Sequence, residues 1–180
     1  MRKGLIEAWL ATVTAAIALA LIMATMVGEA TVEKVATFAD SPWYVHASKA
    51  SAALDAGDLT AAMKHWQEAY AAAVASRRSE GMVEIGDLYR RLGARARLGE
   101  AAVARARQCY LTALLRARGE RSIDAILRAT EAFLELKDDE MVAQGLKFAR
   151  EVATRDPDPR ARRRIEMLAA RAAGSGTTPR

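Results

Sequence analysis

The sequence predicts an all-α protein: an N-terminal transmembrane helix, a platform of helical repeats, and a terminal capping helix. Three observations predict it. Residues 8–28 form an uncharged run of 21 residues, and about 20 apolar residues are what a helix needs to cross a bilayer's hydrocarbon core. From residue 41 to 156 the strong helix formers Ala, Leu, Arg, Glu and Met dominate, with few strand-favouring residues. The same stretch repeats one spacing of small and bulky residues three times.

The membrane segment comes first. Arg2 and Lys3 precede the uncharged run and Glu29 closes it. A cleaved secretory signal is the competing reading, with Gly28-Glu29-Ala30 as its small-x-small site. Such signals carry an apolar region of only about 7–15 residues, so a retained anchor is expected. Two basic residues before the run against Lys34 after it favour an N-terminus inside and a domain outside. Richness in Ala and Arg suggests a bacterial chain of high genomic GC. The domain is then expected in the periplasm, tethered to the inner membrane.

Ala16, Ala20, Ala24 and Gly28 recur every four residues and share one helix face, where another transmembrane helix could approach closely. A run with seven alanines also makes such ridges by chance. Trp9 suits the headgroup level at the entry edge. Residues 29–40 continue the helical pattern as a short stalk. Asp40-Ser41-Pro42 ends it, because Ser caps a following helix and Pro fits its first turn.

Charge is uneven along the chain. Residues 77–128 carry 12 Arg against 6 acids, residues 129–149 have a net charge of −3, and residues 150–180 one of +4. Solvated helix faces account for such runs. A basic surface would favour anionic lipid or an acidic partner, and nucleic acid is the weaker alternative, since no nucleic-acid motif accompanies the charge.

The repeats organise the rest. Ala62/Trp66/Ala69, Ala106/Tyr110/Ala113 and Val142/Leu146/Ala149 share a small-x-x-x-large-x-x-Ala spacing. Each follows a shorter signature: Ala50/Ala53/Gly57, Gly86/Tyr89/Gly93 and Thr130/Phe133/Lys137. Closely paired helices need a small residue wherever a large one presses in.

On these residues the chain resembles the tetratricopeptide repeat, a pair of antiparallel helices of about 34 residues. Gly57 and Gly93 match its turns, Gly86 and Tyr89 its first helix, Trp66 and Tyr110 its second. The sequence departs from the pattern in several places. The first unit has Ala50 and Ala53 where a bulky pair is usual, and the third has Lys137 in place of the turn glycine. The second carries eight extra residues around 94–101, close to two helical turns, which can lengthen both helices with the buried face in phase. An irregular helical bundle is the competing fold. The resemblance implies a groove lined by the first helices, here about residues 43–56, 80–91 and 122–136. Ser51, Asp87, Arg90 and Glu131 would face it, with Arg91 nearby. Each also reads, and more simply, as an exposed polar helix position.

Beyond residues 156–159 a helix is expected over 160–173, with Ile165, Met167, Leu168 and Ala172 as an apolar stripe that covers the last repeat. Residues 174–180, rich in Gly, Ser, Thr and Pro, read as a disordered tail. Cys109 lies in an apolar helical run and reads as a buried small hydrophobe. His46 and His65 stand in no recognised metal motif, and Asp138-Asp139-Glu140 reads as charge at a helix start. No phosphate loop or nucleophile elbow occurs. The expectation is a non-enzyme with neither cofactor nor metal: a scaffold or assembly factor that binds an envelope or membrane protein. The alternative is an accessory subunit docked through its transmembrane helix. The lipid bilayer is contacted through residues 8–28, a small-molecule substrate is not expected, and the oligomeric state is open.

Overall fold

A computed structural model of the chain describes residues 41–155 and 158–175. Seven helices and no strand occur among the described residues, so this part of the chain is all-α. They are α1 (Pro42–Asp55), α2 (Leu59–Ser76), α3 (Ser79–Arg95), α4 (Glu100–Gly119), α5 (Ile123–Glu135), α6 (Asp139–Ala153) and α7 (Pro159–Ser175). The expected transmembrane run 8–28, its ridge Ala16, Ala20, Ala24 and Gly28, and the stalk 29–40 lie outside the described residues. Among the described residues, no helix is long and apolar enough to cross a membrane.

Three short turns each fold one helix back on the last, pairing α1 with α2, α3 with α4 and α5 with α6. Two of these turns are made the same way. Gly57 (φ 82) and Lys137 (φ 57) each take the left-handed conformation. The next N–H bonds back five residues, Asp58 to the Ala53 carbonyl and Asp138 to that of Phe133. That closes the outgoing helix in a Schellman arrangement. Asp58 and Asp138 then cap the incoming helix, accepting from the N–H groups of Ala61 and Met141. Between hairpins, Arg121 (φ 54) and Ser122 repeat the device, with Ser122 accepting from Ala125.

The middle hairpin absorbs the extra residues as added helix. Its helices are 17 and 20 residues long, against 14 and 18 in the first hairpin and 13 and 15 in the third. Gly93 is not a turn glycine: it is buried within α3, where an added Cβ would lie 2.1 Å from that of Ala102. Arg97 and Gly99 carry the positive φ angles of this turn instead. The extra helix moved the turn downstream.

All three triplets are buried, from Ala62, Trp66 and Ala69 to Val142, Leu146 and Ala149. The Trp66 ring lies 4.4 Å from that of Tyr89, and its indole N–H donates to the Ile85 carbonyl at 3.0 Å. Successive hairpins are also joined at their ends. The Arg116 guanidinium donates to the carbonyls of Ala73, Val74 and Arg78, and so ties α4 to the end of α2 and to the turn that follows it. Glu120 accepts from the Ser79 N–H at 2.9 Å and so caps α3 from a distant turn.

The first helices of the hairpins touch in series, α1 to α3, α3 to α5 and α5 to α7. Helix α7 buries Ala161, Ile165 and Leu168. Met167 does not join this stripe; it is 69% exposed. Nor does the tail begin at Gly174, since α7 runs through Ser175; residues 176–180 lie outside the described residues.

Candidate functional site

Helix α3 is buried along Met82, Ile85, Gly86 and Leu92, and this leaves Glu84, Asp87, Arg90 and Arg91 on its other side. Spacings of three and four place those side chains together on a helix. Each reaches a neighbouring first helix. Arg91 of α3 donates to Ser51 Oγ (3.1 Å) and Asp55 (3.0 Å) of α1. Arg90 pairs with Glu135 of α5 at 2.7 Å. Arg128 of α5 meets Asp87 at 2.6 Å and Glu84 at 3.7 Å. One step further, Arg171 of α7 lies 3.9 Å from Glu131, and Arg164 pairs with Asp124 of α5.

Asp87 is the hub. Its second oxygen accepts from the Tyr110 hydroxyl at 2.6 Å. The Tyr110 ring, fully buried on α4, crosses above Gly86, where an added Cβ would come within 2.4 Å of it. One carboxylate thus ties α3, α4 and α5 together. Burial, and then the hydrogen bond to Asp87 and its charge, push the Tyr110 phenol well above the ordinary tyrosine value. Burial alone would lower Arg128, but Asp87 and Glu84 outweigh it and the guanidinium is raised.

Two hollows flank this network. One, of about 370 Å³, lies between α1 and α3 and is lined by Trp43, Tyr44, Ser51, Asp87 and Arg91, among others. The other, of about 510 Å³, includes Arg90, Arg91, Ala94, Val103 and Glu135. Four of the residues predicted from sequence (Ser51, Asp87, Arg90 and Arg91) are therefore brought together. Glu131 lines a separate hollow between α5 and α7. The sequence reading puts Ser51, Asp87, Arg90 and Glu131 on the groove with Arg91 nearby; in the structure each of the five also engages a neighbouring helix of its own chain.

Sequence reasoning missed Arg128, Glu84 and Arg171, whose only signal is helical spacing relative to residues already chosen. It treated Tyr110 as core alone, although a phenol that is buried still needs a partner for its hydroxyl. It also missed a second cluster. His46 of α1 and His65 of α2 both direct Nδ1 at the same oxygen of Glu68, at 3.1 and 2.9 Å. The clue was His65-x-x-Glu68, one face of one helix. The hydrogen bond from His65 is the leading cause that holds the Glu68 carboxyl below its ordinary value. Cys109 is buried as expected, and burial pushes its thiol up to about 11.

Comparison of the chain with protein-family models, curated proteins and solved structures finds no match.

Proposed function

We propose that the chain is a membrane-tethered protein-interaction scaffold or assembly factor of the bacterial cell envelope. Its helical domain is, in this reading, a tetratricopeptide-like stack of three hairpins that α7 caps. The observation that supports it most is the series of contacts α1–α3–α5–α7. Repeat stacks bury each unit's open face on the next and present one continuous side to a partner. That side here is polar and bridged, with Arg91 half exposed beside the two hollows. The resemblance places the client there. The uncharged run 8–28 supplies the tether.

The test compares full-length wild type with the Arg90→Glu, Arg91→Glu double variant. Both are purified from detergent-solubilised native membranes, and co-purifying proteins are quantified by mass spectrometry. Asp87 is left intact because it holds three helices. An envelope protein retained by wild type should fall at least about tenfold in the variant, whose melting curve stays near that of wild type. Loss of partners only on Ala20→Leu with Ala24→Leu would point instead to an accessory subunit held by its membrane helix. If neither variant changes the partner set, both readings fail.

A further inference from the structure

The chain contains two histidines in 180 residues. They stand 19 positions apart in sequence, on different helices, yet both imidazoles converge on one oxygen of one carboxylate. One ligand atom from each of His46, His65 and Glu68 lies within 4.8 Å of the other two. Their side chains are 35%, 28% and 36% exposed, so the cluster opens to solvent on one side.

Two imidazoles and a carboxylate form a ligand set that zinc uses, with a fourth position left for water. Bonds of about 2.0–2.1 Å to a tetrahedral ion require donors about 3.3 Å apart. The two nitrogen–oxygen separations here, 3.1 and 2.9 Å, fall a few tenths of an ångström short of that edge. An ion could therefore replace the two hydrogen bonds after a small side-chain shift. Each ring donates its Nδ1 proton to Glu68 in the hydrogen-bonded cluster. To bind an ion through Nδ1 that proton must leave Nδ1, so that each neutral ring carries its one proton on Nε2. The carboxylate would neutralise one of the two charges. Imidazole donors exclude magnesium and calcium and favour late first-row ions.

We propose that His46, His65 and Glu68 form a three-ligand site for a divalent transition-metal ion of the Zn²⁺ class. The site clips α1 to α2 and leaves one coordination position facing solvent. It stands independently of the scaffold reading, because it rests on residues outside the bridged face.

The test uses full-length protein in detergent micelles without a polyhistidine tag. Equilibrium dialysis against ZnCl₂ should give one ion per chain. Replacing the ion by Co²⁺ should give the visible bands of a low-symmetry, four-coordinate complex. Each of His46→Ala, His65→Ala and Glu68→Gln should weaken Zn²⁺ binding by about tenfold or more. Zn²⁺ should also raise the melting temperature of wild type, reversibly with chelator, and leave those of the variants unmoved. All three positions are partly exposed, so circular dichroism should show the variants folded. Wild type that takes up no stoichiometric Zn²⁺, or variants that bind as tightly as wild type, would overturn the proposal and leave a hydrogen-bonded cluster only.

Discussion

The middle and third hairpins solve the same packing problem from opposite sides. In the middle one the gap lies in the first helix, at Gly86, and the second helix fills it with the Tyr110 ring. In the third the gap lies in the second helix, at Gly145, where an added Cβ would sit 2.1 Å from Thr130 Oγ1. Thr130 of α5 is the intruder, its hydroxyl already donating to the Ile126 carbonyl at 2.7 Å. Close approach of two helices needs one small partner, and either helix can supply it. The intruders differ, however, in what else they hold. Tyr110 bonds Asp87 across its own hairpin and, through that carboxylate, is linked to Arg128 of the next, whereas the Thr130 hydroxyl turns back onto its own helix.

Filling each gap should expose that difference. Gly86→Ala puts a methyl group 2.4 and 2.8 Å from a ring that is fully buried and anchored at its hydroxyl. Overpacking of this kind costs about 1–3 kcal/mol, only partly offset by the ~1 kcal/mol helix-propensity gain of Ala over Gly. The upper end is expected, because the ring cannot swing aside. Gly145→Ala should cost somewhat less, and Thr130→Ala should rescue most of it, since the severe contact is with Oγ1 at 2.1 Å and only Cβ at 3.0 Å remains once Oγ1 and Cγ2 are gone. Tyr110→Phe should not rescue Gly86→Ala, because it leaves the ring in place. Urea unfolding of the four single and two double variants checks this. If Thr130→Ala fails to restore Gly145→Ala, the two hairpins are not interlocked as described.

The reach of Tyr110 predicts an effect of similar size. Asp87→Ala removes the acceptor of a buried hydroxyl and the partner of Arg128 at once. Hydrogen bonds to charged groups contribute about 1.5–3 kcal/mol, so a loss of about 2–3 kcal/mol is expected, against about 1–2 for Tyr110→Phe. Thr130→Val, which removes only a hydroxyl bonded to its own helix, should cost less than either. Equal losses at all three positions would mean that Asp87 is no hub.

Cys109 reports on the same contact without a stability measurement. Its Cβ would lie 3.2 Å from a side chain added at Gly86. With its thiol at about 11, wild type should resist alkylation at neutral pH except through global unfolding. Gly86→Ala should loosen that shield and speed the reaction; Gly145→Ala should not. The sign of the pH effect follows from the raised value. Stability from keeping the thiol protonated is fully present below its ordinary 9.0 and is lost as pH rises through about 11. Wild type should therefore lose stability relative to Cys109→Ala as pH rises from about 9 towards 11, as melting curves of the two across pH 8–11 would show.

Helices, their order and most of the core were legible because spacing and composition act locally: each triplet is buried and the helix ranges fall within a few residues of expectation. What failed were features set by a partner segment. The spacing did not show that Gly145 of α6 is the gap into which Thr130 presses, since nothing in α5 alone reveals it. Met167 carries the right chemistry for the α7 stripe, but it sits one helical step (100°) before Leu168, off the buried face. The polar face was half legible. Residue types and face were readable from α3 alone, but that Asp87, Arg90 and Arg91 spend their charge on neighbouring helices depends on residues 36–45 positions away. The His46–Glu68–His65 cluster was missed for the same reason, a contact between two helices with a ligand pair visible on one of them.

The smallest predicted effect returns to the hairpins at their turns. The first turn places Gly57 in the left-handed region and the third places Lys137 there, with the same hydrogen bonds and the same capping aspartate after each. A residue with a Cβ costs about 1–2 kcal/mol in that region, whereas glycine adopts it freely and loses more chain entropy on folding. Lys137→Gly should therefore stabilise the protein by about 0.5–1 kcal/mol, and Gly57→Ala should destabilise it by about 1 kcal/mol. For a helical domain of this size that corresponds to about 2–4 °C in melting temperature, in opposite directions. Lys137 is exposed, so loss of its side chain opens no cavity. If Lys137→Gly instead lowers the melting temperature, the third turn is held by something besides its backbone geometry, and the likeness between the two turns ends at their hydrogen bonds.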